Sequence, residues 1–99
     1  MTLSEKQQRY LRGRAHPLKP LIRIGQQGLT AAVCAETSRA LLDHELIKVR
    51  VQAADREARE ALIAELVQRT ASELVMRIGH VAVLFKARAE LSRIPLPDR

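Results

Sequence analysis

Residue patterning along the chain predicts an α/β domain, with elements in the order helix, strand, helix, strand, helix, strand, strand. Short runs of branched aliphatic residues with two-residue alternation, such as Ile47-Lys48-Val49-Arg50-Val51, alternate with longer stretches whose apolar residues recur every three or four positions. Capping residues stand directly ahead of those longer stretches. The last two apolar runs are separated only by Gly79-His80, which makes them a hairpin. Strand–helix–strand succession demands right-handed crossovers, so the four-stranded sheet is expected to be mostly parallel, with its last strand antiparallel.

Ser4-Glu5-Lys6-Gln7 has capping-box form, and a short helix follows to about Gly13, closed off by Pro17. Its apolar residues, Leu3, Tyr10 and Leu11, are few, whereas Lys6, Arg9 and Arg12 recur every three residues and stack along one side. Two prolines hold His16-Pro17-Leu18-Lys19-Pro20 extended. Leu21–Ile24 is a brief strand, ended by Gly25-Gln26-Gln27-Gly28. Thr30 caps a helix running to about His44, with Leu29, Val33, Ala40 and Leu41 on its buried face. Glu45–Val51 is a strand with Ile47, Val49 and Val51 on one face and Lys48 and Arg50 on the other.

Asp55 caps the next helix, about Arg56–Ala71. Its stripe of Ala58, Leu62, Ile63, Leu66 and Val67 is the cleanest in the chain, and Glu57, Glu60 and Glu65 occupy the outer side. Leu74–Ile78 and Val81–Lys86 close the sheet through a type II′ turn with Gly79 first. Both faces of these two strands carry apolar residues, which leaves the inward face open. Residues 87–99 contain two prolines and no periodicity, and are expected to form an irregular tail on a single domain spanning 1–99.

Composition excludes several function classes. The single cysteine, Cys34, allows neither an intramolecular disulfide nor a cysteine zinc site, and His16, His44 and His80 have no companions at metal-ligand spacing. Ser4, Thr30 and Asp55 are explained as caps, so no nucleophile, acid/base pair or metal set remains to support an enzyme. The first residues carry Lys6, Arg9 and Arg12 where a signal peptide would be apolar, and the longest apolar run, Val81–Phe85, is too short to span a bilayer. A monomeric cytoplasmic protein without cofactor, metal or small-molecule substrate is expected.

Seventeen Lys and Arg oppose eleven Asp and Glu, for a formal net charge of +6. The excess is uneven: +5 over residues 1–23, −1 over 24–83 and +2 over 84–99. Such asymmetry points to a polyanion-binding surface, carried mainly by Lys6, Arg9, Arg12, Arg14, Lys19 and Arg23. A membrane surface would need a stronger apolar face beneath the basic one than the first helix has, which leaves nucleic acid as the partner. The two glycines of Gly25-Gln26-Gln27-Gly28 let a phosphate approach the backbone, and the helix starting near Thr30 aims free N–H groups at the same spot. The loop lacks the further glycine of a dinucleotide fingerprint and the lysine of a Walker A motif, so free nucleotides are not expected ligands. Lys48 and Arg50 have two readings, as nucleic-acid contacts or as charge protecting an edge strand from aggregation.

Leu11-Arg12-Gly13-Arg14-Ala15-His16-Pro17-Leu18-Lys19-Pro20, then Ile24-Gly25-Gln26-Gln27-Gly28-Leu29-Thr30, then His44-Glu45-Leu46-Ile47-Lys48-Val49-Arg50 resemble the YhbY-like CRM-domain family. The Ile78-Gly79 step and the closing strand through Phe85 are similar to it as well. The resemblance implies a two-layer α/β sandwich with a four-stranded mixed sheet, like the C-terminal domain of translation initiation factor three. It further implies an RNA-binding protein associated with precursors of the large ribosomal subunit. By position it assigns the contact surface to the loop Gly25, Gln26, Gln27 and Gly28, with Lys19 and Lys48 in the flanking motifs. Many members have a basic residue inside this loop where the present chain has Gln26 and Gln27, which shifts the expected phosphate affinity toward Lys6, Arg9, Arg12 and Arg14. The expected ligand is structured ribosomal RNA; the alternative is an adaptor that contacts a ribosomal protein or assembly factor, with accessory RNA contacts.

Overall fold

Each helix begins where a side chain can satisfy one of its first free amides. Helix α1 (Glu5–Ala15) follows Ser4, whose Oγ accepts from the Gln7 amide at 3.1 Å while Gln7 Oε1 accepts from the Ser4 amide at 3.0 Å. Helix α2 (Ala31–His44) follows Thr30, and α3 (Arg56–Thr70) follows Asp55, each accepting from the third helical amide. The structure, a computed structural model, describes residues 3–88, 92 and 94–98. Helix α1 runs two residues beyond its expected stop. Glycine in an exposed helix costs only about 1 kcal/mol, and Leu11 and Ala15 are both buried, so packing carries the helix through Gly13.

The strands are β1 (Pro20–Ile24), β2 (Leu46–Val51), β3 (Glu73–Ile78) and β4 (Val81–Phe85), in the spatial order β1-β2-β4-β3. The expectation of a mostly parallel sheet is corrected here. Only β1 and β2 pair in parallel, and β4 is antiparallel to both of its neighbours. Strands β1, β2 and β3 point the same way, but the hairpin returns β4 into the gap between β2 and β3. The reason is burial. Val81-Ala82-Val83-Leu84-Phe85 is apolar throughout, and only a central strand has both faces covered. Strand β3, with Glu73, Arg77 and the partly exposed Leu74 and Ile78, takes the edge. Strand β2 is likewise interior, so protection of an edge does not account for Lys48 and Arg50.

Alternation sorts the core into two clusters, one on each face. Ile22, Ile24, Ile47, Val49, Val51 and Leu84 face α2 and α3, meeting Leu41, Ile63 and Leu66. The alternating residues Leu46, Val83 and Phe85 pack with Val75 against Leu11 and Ala15 of α1 and Ile94 of the C-terminal segment. Sheet and two helices thus form the expected sandwich, and α1 adds a partial layer on the other face. A helix is about 10 Å across and a six-residue strand about 20 Å long, so α1, crossing from β3 toward β2, covers only the Leu46–Phe85 end. At the other end that face is open.

The described part of residues 87–98 has no regular structure, but it is pinned. Glu45, expected to open β2, instead caps α2 with φ 64° and ψ −41°, a backbone region costly for a residue with a Cβ. Its buried carboxylate accepts from the Ser92 hydroxyl at 2.7 Å and the Arg88 amide at 3.3 Å. Arg88 also donates to the Leu42 and Asp43 carbonyls at the end of α2, and Lys86 Nζ donates to the Thr70 carbonyl at the end of α3. These C-terminal cations therefore close helix ends, and Arg93 and Arg99 lie outside the described residues.

Two stability measurements test this packing. Glu45→Ala leaves the Ser92 and Arg88 donors without their acceptor and is expected to cost on the order of 3 kcal/mol in urea denaturation, with limited proteolysis cutting after Phe85 first. Leu11→Ala removes the anchor of α1 and is expected to lower stability by about 2–5 kcal/mol; a loss below 1 kcal/mol would mean that α1 is held by something other than Leu11.

Candidate nucleic-acid interface

Alternation along β1 and β2 decides what the open half of the sheet displays. Ile22 and Ile24 face the helices, so Arg23 faces the other way; Arg50 does the same between Val49 and Val51. Arg23 stands opposite Arg50 in register, and the row continues through Val81 to Ile78, which is 51% exposed. Both arginines are exposed, and among the described residues neither has a carboxylate partner. Two like charges side by side repel, and a phosphate between them converts that repulsion into attraction. Lys48 lies on the same face, half-buried, with Nζ donating to the Leu18 carbonyl at 2.9 Å. It clamps the proline-flanked segment onto the sheet and keeps two of its three donors for other partners.

The glycine loop sits at the end of β1 beside this row. The Gly28 amide donates to the Gly25 carbonyl at 3.0 Å, placing Gln26 and Gln27 exposed at the tip of a tight turn. Gly28 has φ +72°, a backbone region that strains a residue with a Cβ, and carries the chain out of the turn toward Thr30, whose amide donates to the Gly28 carbonyl. Gly25 has no such need: its φ is not in the left-handed region and a Cβ there would meet nothing within 4 Å. The Gln52 amide donates to the Ile24 carbonyl at 2.9 Å, and the Val51 amide to the His80 carbonyl at 2.7 Å. These two bonds gather the glycine loop, the β2–α3 connection and the β3–β4 turn at one end of the sheet. Between the first two lies an open cleft of about 670 Å³, floored by Ala53, Ala54, Ala58 and Leu62 with Gln26 and Gln52 on its rim.

Of the residues singled out from sequence, Arg23, Gly25, Gln26, Gln27, Gly28 and Thr30 come together at this end, although Thr30 Oγ1 is engaged as a cap to the Val33 amide. Lys19 does not join them. It precedes β1 while the loop follows it, which separates the two by about 20 Å. Lys6, Arg9, Arg12 and Arg14 lie on α1, on the same side of the sheet as Arg23 and Arg50. Lys6 and Arg9 are exposed and Arg12 half-buried, while Arg14 donates to the Tyr10 hydroxyl at 3.1 Å and stands 5.9 Å from its ring centre.

On the helical side, four arginines face carboxylates: Arg39 faces Asp43, Arg56 and Arg77 face Glu60, and Arg69 faces Glu65. Arg69 has its pKa raised by its hydrogen bond to Cys34 Sγ and by the charge of Glu65. Arg23, Arg50 and the exposed cations of α1 therefore leave most of the uncompensated positive charge on the α1 side. Arg50 is the contributor that sequence reasoning left undecided. Its alternation was visible, but the interior place of its strand was not.

A family model of the CRS1 / YhbY (CRM) domain matches residues 3–86. The chain is 46% identical over 98 residues to a Haemophilus influenzae protein named RNA-binding protein, covering 99% of this chain and 98% of that one. It is 37% identical over 95 residues to YqeI of Bacillus subtilis, covering 96% and 99%. The solution structure of a hypothetical protein from Staphylococcus aureus is similar with a TM-score of 0.83 at 35% identity, covering 97% of this chain and 100% of that one. With a family model matched over nearly the whole chain and relatives alike from end to end, this protein belongs to the CRS1/YhbY (CRM) domain family.

Proposed function

We propose that this protein is an RNA-binding factor, without catalytic activity of its own, that holds structured ribosomal RNA in precursors of the large ribosomal subunit. The observation that carries the reading is the exposed Arg23–Arg50 pair beside a glycine loop whose backbone a phosphate can reach. The name of the Haemophilus influenzae relative supports the ligand class. Binding proceeds through phosphates and shape: Arg23, Arg50 and the α1 cations displace counterions from the RNA, and the loop amides of Gln26 and Gln27 donate to a phosphate at close range. Phe85 is buried, and the half-buried Tyr10 ring packs against the core cluster with Arg14 over it, so neither aromatic ring offers an open platform for single-stranded bases.

A second reading, contact with a protein component of the same particle, is favoured by a different feature. Leu18 and Leu21, 37% and 52% exposed, line an apolar pocket of about 380 Å³ at the far end of β1. Charge reversal separates the two readings, because that pocket does not involve Arg23 or Arg50.

The double variant Arg23→Glu/Arg50→Glu is expected to bind a synthetic RNA hairpin on the order of 10²-fold more weakly at about 100 mM salt and to flatten the salt dependence, with its circular dichroism unchanged. Unaltered affinity moves the RNA surface elsewhere. Gly25→Val is expected to leave stability within about 0.5 kcal/mol while weakening RNA binding, since the space a Cβ would fill is open to the partner alone. In ribosome gradients the protein is expected to sediment with large-subunit precursors and to be shed as salt rises. A protein found only at the top at low salt would remove the ribosomal target and leave RNA binding to be tested on its own.

A further inference from the structure

Arg59 stands apart from the other arginines on the helical side. Arg39, Arg56, Arg69 and Arg77 each have a carboxylate oxygen within 4.0 Å; Arg59, half-buried on α3, has none among the described residues. Asp55, one turn before it, is committed to the cap of α3, and the adjacent Glu60 to Arg56 and Arg77, while Glu57, two residues away, lies toward a different side of the helix. Arg59 Nη1 instead meets Nδ1 of His80 at 3.0 Å, and its Nε, shut off from solvent, has no hydrogen-bond partner. A guanidinium can only donate, so Nδ1 of His80 must accept, which leaves the ring proton on Nε2 of an exposed residue. The outcome is a cation held against a neutral ring, partly desolvated and without counter-charge. Such a group is costly until an anion joins it.

Its position matters as much as its chemistry. His80 occupies the β3–β4 turn that the Val51 amide ties to the end of β2, and the next amide, Gln52, ties β2 to the start of the glycine loop. Arg59 reaches that turn from the helical face, whereas Arg23 and Arg50 approach the same end from the open face. We infer that Arg59 and His80 form an additional site for the RNA phosphodiester backbone. The RNA path then wraps from Arg23 and Arg50 over the Gly79-His80 turn onto the helical side. The free guanidinium N–H groups of Arg59 and the Nε2–H of His80 are the donors, and the phosphate supplies the missing counter-charge. This inference rests on the RNA reading above and extends its surface to residues outside the basic face.

The test compares Arg59→Ala with Arg56→Ala in the full chain, binding a synthetic RNA hairpin with one bulged nucleotide at salt between about 50 and 200 mM. Each variant removes one positive charge from α3, but Arg56 already has Glu60 beside it. Arg59→Ala is expected to weaken binding about 3–10-fold and to reduce the slope of log affinity against log salt by about one; Arg56→Ala leaves both unchanged. As a readout independent of mutant folding, the His80 ring signals of the unaltered protein are expected to shift during RNA titration together with the glycine-loop amides. Arg59→Ala matching Arg56→Ala, or His80 signals that stay still while the loop amides move, would overturn the inference and leave the RNA reading standing. If the unaltered chain does not bind the hairpin at all, both fall.

Discussion

A strand that is apolar at all five positions is buried on both faces only in the middle of a sheet, and Val81–Phe85 is such a strand. Its insertion between β2 and β3 governs much of what surrounds it. The far face of β4 presents Val83 and Phe85, which need cover, and α1 lies across that face with Leu11 and Ala15 against them. One helix covers about half the length of the strands, so the rest of the face stays open and displays Arg23 and Arg50. The same insertion brings the β3–β4 turn alongside the end of β2, where the Val51 amide bonds to His80.

Basic residues are used in three ways, and charge counting along the chain does not distinguish them. Lys86 and Arg88 close the ends of α3 and α2, where carbonyls lack intrahelical partners. Arg39, Arg56, Arg69 and Arg77 are balanced by carboxylates on the helical side, where exposed pairs add little to stability but cancel the local field. Arg23, Arg50 and the cations of α1 have neither duty apart from the Arg14–Tyr10 contact. The nearly neutral segment 24–83 thus contributes Arg50 to the basic face, because acids of that segment pair with arginines on the other side of the sheet.

The two glycines of the loop illustrate a related distinction. Gly28 is demanded by its own backbone at φ +72°, so a turn alone would explain it. Nothing in the folded chain demands Gly25, and open space beside it is what a close-approaching partner would use. Glu45 is the opposite case, a carboxylate drawn inside at an unfavourable φ because the C-terminal segment brings donors to it.

How much was legible in the sequence follows from the range of each interaction. Ser4, Thr30 and Asp55 as caps, the faces of β2 and the tight turn at Gly28 all depend on residues within about four positions of one another, and local sequence by itself determined them. The place of Arg50 in an interior strand and the meeting of Arg59 with His80 depend on which segments pair across the sheet. Glu45 and Ser92 are 47 residues apart, and Arg59 and His80 are 21 apart. The order β1-β2-β4-β3 was decided by the tertiary structure alone, because it arises from competition among strands for the two interior sites of the sheet. Each strand's own pattern states how much burial it needs; only the packed sheet assigns which strand receives it.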